Sequence, residues 1–235
     1  MTLHAVLFDL DGTLLDTAPD MGGALNELRA EHDLGPLTAA EIRPFVSNGA
    51  TALVRLGFGD TGPERLEALR LRFLEIYASR LAHETALFEG GAALIDTLDA
   101  EGIPWGIVTN KPAWLTDPLL EALALRDRAR VVVSGDTLPE KKPHPQPLLL
   151  AAERIGRRPG ACAYVGDAER DMLAARSAGM HGVLATFGYL DAEASWSAWP
   201  CVATIVHLAE LLPWLRLNGL SASVATSGAT TRKTS

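Results

Sequence analysis

The sequence predicts an α/β fold, a Rossmann-like doubly wound parallel sheet that carries an inserted all-helical cap. Three observations lead to this prediction. The chain opens with a short apolar run, Val6 to Phe8, that ends in two carboxylates, as expected of a parallel strand buried on both faces. Residues 16–84 then carry only helical patterns. Beyond them, strand and helix patterns alternate, which is typical of a parallel sheet covered by helices.

The first strand leads into an acidic turn. Asp9 and Asp11 are two residues apart, so an extended backbone directs both side chains the same way. Open α/β sheets bind ligands at the carboxyl ends of their strands. Two neighbouring carboxylates resist ionisation unless a cation lies between them, which predicts a divalent metal. The alternative is a simple turn or helix cap, because Asp followed by Gly is a common turn pair.

The helical insert, residues 16–84, is predicted to be a cap domain. Its longest helix starts at Pro63 and repeats apolar residues every three or four positions up to Tyr77. The glycines at 57, 59 and 62 match a dinucleotide-binding spacing, but a helix precedes them instead of the strand that this fingerprint needs. We therefore interpret them as a helix end and a loop.

The α/β core domain is predicted from residues 1–15 and 85–217. Its later strands are expected at residues 105–108, 131–133, 162–165 and 182–185, with a last strand and helix between 203 and 215. Residues 218–235 are rich in Ser, Thr, Ala and Gly, so they are predicted to be a disordered tail.

Composition narrows the function. A chain of 235 residues that is 48% hydrophobic can bury a sizeable core. Its net charge of -8 argues against nucleic-acid binding, which needs a basic surface. Two cysteines suit neither a disulfide framework nor a zinc cluster, and no apolar run is long enough for a membrane span. We expect a cytoplasmic protein that acts on a small phosphorylated metabolite, either as a monomer or as a homodimer.

The carboxylates suit phosphoryl transfer. Asp9 is the candidate nucleophile, since a carboxylate can attack phosphorus and form an aspartyl phosphate. Asp11 is the candidate acid and base, which protonates the leaving oxygen and later activates water. Mg²⁺ prefers oxygen ligands. Asp9 and Asp167 are its predicted ligands with the Asp11 backbone carbonyl, and Asp171 is predicted to hold a metal-bound water.

Donors for the phosphoryl oxygens are expected at the next strand ends. Thr109, the backbone of Asn110 and Lys142 are the candidates, because negative charge on the transferring group needs donors placed in advance. Each also has a structural interpretation. A strand-end Thr is often only packed, a Lys is usually solvated, and Asp167 could be a helix cap.

Four segments together resemble the signature motifs of haloacid dehalogenase superfamily phosphatases. They are F-D-L-D-G-T-L-L-D at 8–16, V-T-N-K-P at 108–112, K-K-P-H-P at 141–145 and V-G-D-A-E-R-D at 165–171. The resemblance implies a Rossmann-like core with a helical cap inserted after the first motif. It also implies a magnesium site at Asp9, Asp11 and Asp167, with Thr109 and Lys142 as phosphate ligands.

Within this superfamily, V-S-N-G-A at 46–50 in the cap looks like the phosphoglycolate phosphatase branch. Residues 87–90 and 105–112 are also similar to N-acetylmuramic acid 6-phosphate phosphatases. Arg43, Asn48 and Gly49 are the cap residues expected to meet the substrate, although an ordinary polar loop would look the same.

Other functions remain open at this point. A phosphomutase would pass the aspartyl phosphate to a sugar instead of water. A dehalogenase fits less well, because cleavage of a carbon–halogen bond needs neither Asp11 nor magnesium. Outside catalysis, the acidic site would serve as a phospho-acceptor switch or an inactive interaction module.

Overall fold

The protein is described by a computed structural model over residues 2–190 and 195–221. Its strands are β1 (Ala5–Phe8), β2 (Leu15–Asp16), β3 (Ala86–Leu87), β4 (Trp105–Val108), β5 (Val131–Val133), β6 (Cys162–Gly166), β7 (His181–Ala185) and β8 (Ala203–Ile205). Six of them form one parallel sheet in the order β5-β4-β1-β6-β7-β8. The prediction of an α/β, doubly wound parallel sheet is confirmed.

Helices cover both faces of this sheet. The helices of the described residues are α1 (Ala18–Ala30), α2 (Ala39–Ile42), α3 (Gly49–Phe58), α4 (Pro63–Ser79), α5 (Gly91–Ala100), α6 (Ala113–Ala122), α7 (Gln146–Ile155), α8 (Glu169–Ala178) and α9 (Leu211–Leu217). Residues of α5, α6 and α9 pack on one face, and residues of α7 and α8 pack on the other. Strand β1 is fully buried between them, which explains its continuous apolar run.

The insert between β2 and β3 is helical and has its own core. Apolar residues of α1, α3 and α4 pack together there, with Phe73 fully buried among them. A six-residue 3₁₀ helix, Arg43–Asn48, connects α2 to α3. It begins where Pro44 removes a backbone donor, so the α-helical pattern does not continue. None of the helices among the described residues is long and apolar enough to cross a membrane.

The two ends of the insert are tied together. Strands β2 and β3 form a two-residue antiparallel pair. Next to it, the buried carboxylate of Asp20 accepts hydrogen bonds from the backbone N–H groups of Glu84 and Thr85 and from the Thr85 hydroxyl. Burial of a charge is tolerated when several donors satisfy it. The junction between cap and core is therefore held by specific contacts.

The start of the predicted tail packs against the core. Leu220 contacts the apolar cluster that includes Leu3, and the Ser221 N–H donates to the Leu3 carbonyl at 3.1 Å. The remainder of the predicted tail, residues 222–235, lies outside the described residues.

Candidate active site

Three adjacent strands deliver polar residues to one edge of the sheet. Asp9 follows β1, Thr109 follows β4 and Asp167 follows β6, and β1 lies between the other two strands. All three residues are at most 3% exposed. The carboxyl ends of parallel strands meet at the same edge, so residues far apart in the sequence converge there.

A buried lysine connects two of the carboxylates. Lys142 Nζ lies 2.8 Å from Asp9 Oδ1, 2.8 Å from Asp171 Oδ1 and 2.8 Å from the Tyr164 hydroxyl. An ammonium group has three protons, so these contacts use all of them. Burial raises the pKa of Asp9 although Lys142 opposes this. For Asp171, Lys142 and Arg170 outweigh burial and lower the pKa.

Asp167 is held by hydrogen bonds from neutral donors. Its Oδ2 accepts hydrogen bonds from the Ser47 hydroxyl at 2.7 Å and the Tyr189 N–H at 2.9 Å. Its Oδ1 is buried and has no partner among the described residues. Burial, followed by the charges of Asp171 and Asp9, raises the pKa of Asp167 to about 7. Such a group needs a cation to stay ionised at neutral pH.

Gly12 makes room for this carboxylate. Its φ of +82° lies in the left-handed region, and a Cβ at this position would lie 2.2 Å from Asp167 Oδ2. Glycine is therefore required here both by the turn and by the approach of Asp167.

Asp11 lies in a different set of contacts. Its Oδ1 accepts hydrogen bonds from the Thr17 hydroxyl at 2.7 Å and from Lys111 Nζ at 2.9 Å. Lys111 Nζ also donates to the Tyr77 hydroxyl of α4 at 2.8 Å. Burial opposes the charge of Lys111, but Asp11 and Tyr77 raise its pKa above the ordinary value, so Lys111 is a cation at neutral pH.

The predicted phosphate donors are arranged by neighbouring backbone. The Thr109 Oγ1 atom accepts the Lys111 N–H at 3.1 Å, which leaves the hydroxyl proton free to donate. The Asn110 side chain donates to the Lys142 carbonyl and accepts from the Lys142 N–H, both at 3.0 Å. The amide of Asn110 thus fixes the loop that carries Lys142.

An open cavity of about 670 Å³ lies above this edge, between core and cap. Asp9, Asp11, Thr109 and Asn110 line it on the core side. Its other lining residues include Asn48, Gly49, Arg70, Leu71, Leu74, Tyr77, Lys111, Trp114 and Arg170. Its volume is within the range of small-molecule sites.

Arg43, expected at the substrate, lies elsewhere. It pairs with Asp16 at 3.0 Å, and its guanidinium lies 4.9 Å from the ring centroid of Tyr189. It is not among the residues that line the cavity. The position differs from the predicted one because Asp16, at the end of β2, offers a carboxylate partner at the base of the cap. Asn48 and Gly49, by contrast, do line the cavity.

Four contributors were not anticipated. Lys111, Tyr77, Ser47 and Arg170 all contact or line the site, and Arg170 also donates to the Ser47 carbonyl at 2.8 Å. Lys111 and Arg170 lie inside motifs that the sequence analysis used, directly after Asn110 and three residues after Asp167. Their basic charge beside so many carboxylates was the available signal. Ser47 lies within the V-S-N-G-A segment at 46–50, next to the predicted Asn48, whereas Tyr77 lies on α4 and only tertiary structure brings it here.

The donor set suits a hard divalent cation. One carboxylate oxygen each from Asp9, Asp167 and Asp171 lies within 4.8 Å of the others. Oxygen ligands of this kind are those that Mg²⁺ prefers, and Asp167 Oδ1, which has no hydrogen-bond partner in the described part of the chain, is a natural ligand atom. The carboxylate of Asp11 is not part of this cluster in the described residues, and its backbone carbonyl as a ligand stays a prediction.

This combination of fold and site defines a class of proteins. A family model of haloacid dehalogenase-like hydrolases matches residues 6–185, and the chain belongs to that family. The resemblance predicted from the four motifs is confirmed.

Individual relatives give a narrower comparison. A phosphoglycolate phosphatase of Xanthomonas campestris pv. campestris is 46% identical over 214 residues, which cover 90% of this chain and 97% of that protein. An N-acetylmuramic acid 6-phosphate phosphatase of Pseudomonas aeruginosa is 38% identical and covers 90% and 94% of the two chains. The crystal structure of a predicted phosphoglycolate phosphatase from Haemophilus somnus superposes with a TM-score of 0.80 at 26% identity, covering 91% of this chain and 98% of that one.

Proposed function

We propose that this protein is a Mg²⁺-dependent phosphomonoester hydrolase that works through an aspartyl phosphate on Asp9. Its assignment to the phosphatases follows from the family match and from two relatives named phosphatases. The alignments with this chain cover 97% and 94% of the length of those relatives. The observation that carries the mechanism is the convergence of Asp9, Asp167, Asp171 and Lys142 at one edge of the sheet.

Mg²⁺ would be held by the carboxylates of Asp9 and Asp167, with Asp171 near enough to hold a water ligand. It would supply positive charge for the phosphoryl oxygens and keep both aspartates ionised. Lys111 pairs with Asp11, and Lys142 pairs with Asp9 and Asp171, whereas no lysine or arginine of the described residues forms a salt bridge with Asp167. A divalent ion would compensate the charge of Asp167.

Asp9 is held ready for attack. Its Oδ1 accepts the Leu10 N–H at 2.7 Å and the Lys142 ammonium at 2.8 Å, which fixes the carboxylate and leaves Oδ2 as the oxygen that would attack phosphorus. As the new O–P bond forms, the bond from phosphorus to the leaving oxygen breaks, and Asp11 gives that oxygen a proton. The Thr109 hydroxyl donates to a phosphoryl oxygen, whose charge needs a donor already in place.

The second half of the reaction uses the same residues. Asp11, now a carboxylate, takes a proton from a water molecule as that water attacks the phosphorus of the aspartyl phosphate. The O–P bond to Asp9 breaks, and inorganic phosphate leaves with Asp9 regenerated. Asp11 thus serves as the acid in the first step and as the base in the second. It can do both because the leaving oxygen and the attacking water occupy the same position.

We propose phosphoglycolate as the first candidate substrate, because the phosphoglycolate phosphatase of X. campestris is 46% identical over 97% of its length. A sugar phosphate such as N-acetylmuramic acid 6-phosphate is the second candidate. The cavity volume of about 670 Å³ and the half-exposed side chains of Trp114 and Leu71 favour it, because a two-carbon leaving group would leave those apolar surfaces uncovered.

Activity assays test the proposal. The wild-type protein with Mg²⁺ is expected to release phosphate from p-nitrophenyl phosphate, whereas Asp9→Asn and EDTA-treated protein are expected to release none. Full activity in either case would remove the mechanism. A panel of phosphoglycolate, N-acetylmuramic acid 6-phosphate and hexose monophosphates, ranked by kcat/KM, then decides the substrate class.

A further inference from the structure

We infer that Lys111 is a positioning residue that aims the carboxyl group of Asp11 and ties that aim to the cap through the Tyr77 hydroxyl. The observation is a continuous chain of hydrogen bonds from Asp11 to Lys111 to Tyr77. The inference rests on the proposed function, because it assigns a role within the acid and base step of Asp11.

Only one of the two carboxylate oxygens of Asp11, Oδ1, accepts side-chain hydrogen bonds from the described residues. Both the Thr17 hydroxyl and Lys111 Nζ donate to Oδ1, and the Asp11 side chain keeps 16% of its surface exposed, toward the cavity that it lines. Two donors on one oxygen prevent the carboxyl group from rotating. Oδ2 is then the oxygen that carries the proton in both halves of the reaction.

Lys111 is enclosed by groups from both domains. Its side chain is only 5% exposed. Its backbone N–H donates to Thr109 in the core, and its ammonium donates to Tyr77 and lies 4.5 Å from the Tyr77 ring centroid. Tyr77 is 1% exposed and stacks on Phe73 in the cap core. Because α4 carries Tyr77, a displacement of the cap would remove one of the groups that hold Lys111.

The expected consequence is a link between cap position and proton transfer. With the cap in place, Lys111 is held between Tyr77 and Asp11, and Oδ2 faces the leaving oxygen. With the cap displaced, Lys111 loses the Tyr77 hydroxyl and the Tyr77 ring, so the ammonium group that pairs with Asp11 is less firmly fixed. Proton transfer is then best aligned only when the cap covers the substrate, which protects the site from water.

The dependence on the leaving group separates this role from a structural one. A p-nitrophenolate leaving group needs little protonation, whereas an alkoxide needs the proton of Asp11. The value of kcat/KM reports the first step, in which the leaving group departs. We propose to measure it for p-nitrophenyl phosphate and for the alkyl phosphate that ranks first in the panel above, with Asp11→Asn as the reference for a lost acid.

Lys111→Met is expected to lower kcat/KM for the alkyl phosphate about 100-fold, as a misplaced catalytic group does, and to lower it for p-nitrophenyl phosphate far less. Tyr77→Phe should lower the alkyl value by about fivefold, the effect of one hydrogen bond. Adding Tyr77→Phe to Lys111→Met should cost little more, because Tyr77 acts through Lys111. Lys111→Arg, which keeps the cation, should restore most of the alkyl activity.

Arg128→Met is the matched control. It also removes a cation that pairs with carboxylates, Asp96 and Asp99, but it lies outside the cavity, so both kcat/KM values should stay as in the wild type. An equal loss for both substrates in Lys111→Met would overturn the inference and assign Lys111 to the phosphoryl group. If Lys111→Met does not fold, Tyr77→Phe takes its place in the test. An equal loss of kcat/KM for both substrates in Tyr77→Phe would then overturn the inference. An Asp11→Asn protein without selective loss would instead refute the proposed function.

Discussion

Lys142 Nζ lies 2.8 Å from Asp9 Oδ1, and neither side chain is more than 4% exposed. The same ammonium lies 2.8 Å from Asp171, whose side chain is fully buried. A single cation therefore compensates two buried carboxylates, one of which is the candidate nucleophile. Loss of one member of a buried charge set leaves the others uncompensated, which costs far more than loss of a surface pair.

Lys142→Met should therefore destabilise the protein as well as inactivate it. We expect a loss of about 3–5 kcal/mol in the free energy of unfolding, the range for removal of one partner from a buried pair, measured by urea denaturation. Lys141→Met is the control, because Lys141 is exposed and its replacement should change that free energy by no more than about 0.5 kcal/mol. Equal midpoints for wild type and Lys142→Met would contradict this assignment.

Metal binding should depend on pH through Asp167. Its pKa is raised from 3.8 to about 7 by burial and by Asp171 and Asp9, so the folded protein binds more protons here than the unfolded chain between those values. The stabilising contribution of this group is then lost as the pH rises through that window. Mg²⁺ binds the ionised carboxylate, so its stabilisation should grow as the pH rises.

Thermal unfolding measures this effect. The increase in Tm that saturating Mg²⁺ gives over EDTA should be larger at pH 8 than at pH 5.5. Asp167→Asn should lose most of the Mg²⁺ increment at both values. An increment that is the same at pH 5.5 and pH 8 in the wild type would rule out Asp167 as the group that controls the affinity.

A methyl group at residue 12 should disrupt the metal site. In Gly12→Ala the new Cβ would lie 2.2 Å from Asp167 Oδ2, so the carboxylate must leave its position. We expect Mg²⁺ affinity, measured by calorimetry, to fall at least about tenfold, a value typical of lost support around a metal ligand. Gly59→Ala is the control, since its φ is also positive, at +72°, but nothing lies within 4 Å of its Cβ. Gly59→Ala should lower the stability of the protein without changing its Mg²⁺ affinity. Equal Mg²⁺ affinities for Gly12→Ala and Gly59→Ala would contradict the proposed metal site.

Trp114 should discriminate between the two candidate substrates. Its side chain is 51% exposed and lies in the cavity wall, where a sugar ring could cover it. Trp114→Ala should lower kcat/KM for N-acetylmuramic acid 6-phosphate about tenfold or more, because an aromatic contact in a binding site contributes more than about 1 kcal/mol. The value for phosphoglycolate should change little. A comparable loss for both substrates would show that Trp114 supports the site and does not select the leaving group.

Much of the fold was predictable because its signals are local. Strands β4 and β5 have the predicted bounds, since apolar runs and turn residues mark their ends. Strands β2 and β3 were missed, because two residues each are too few to show a period. Their pairing depends on residues about 70 positions apart.

The site was predictable where residues follow strands. Asp9, Thr109 and Asp167 lie together because parallel strands end at one edge, a property that the order of motifs conveys. The positions of Arg43 and Lys111 depend on partners in other segments. Arg43 pairs with Asp16 instead of facing the cavity, and Lys111 bridges core and cap. No spacing rule encodes such contacts across domains.

The central claim, covalent catalysis by Asp9, is tested most directly by trapping the intermediate. Enzyme mixed with Mg²⁺ and substrate, quenched in acid within the first turnover and digested, should yield a phosphorylated peptide whose modification maps to Asp9 by mass spectrometry. The label should disappear when the quench follows complete turnover. Product formation with no phosphopeptide at any time, or with the phosphate on another residue, would contradict the mechanism.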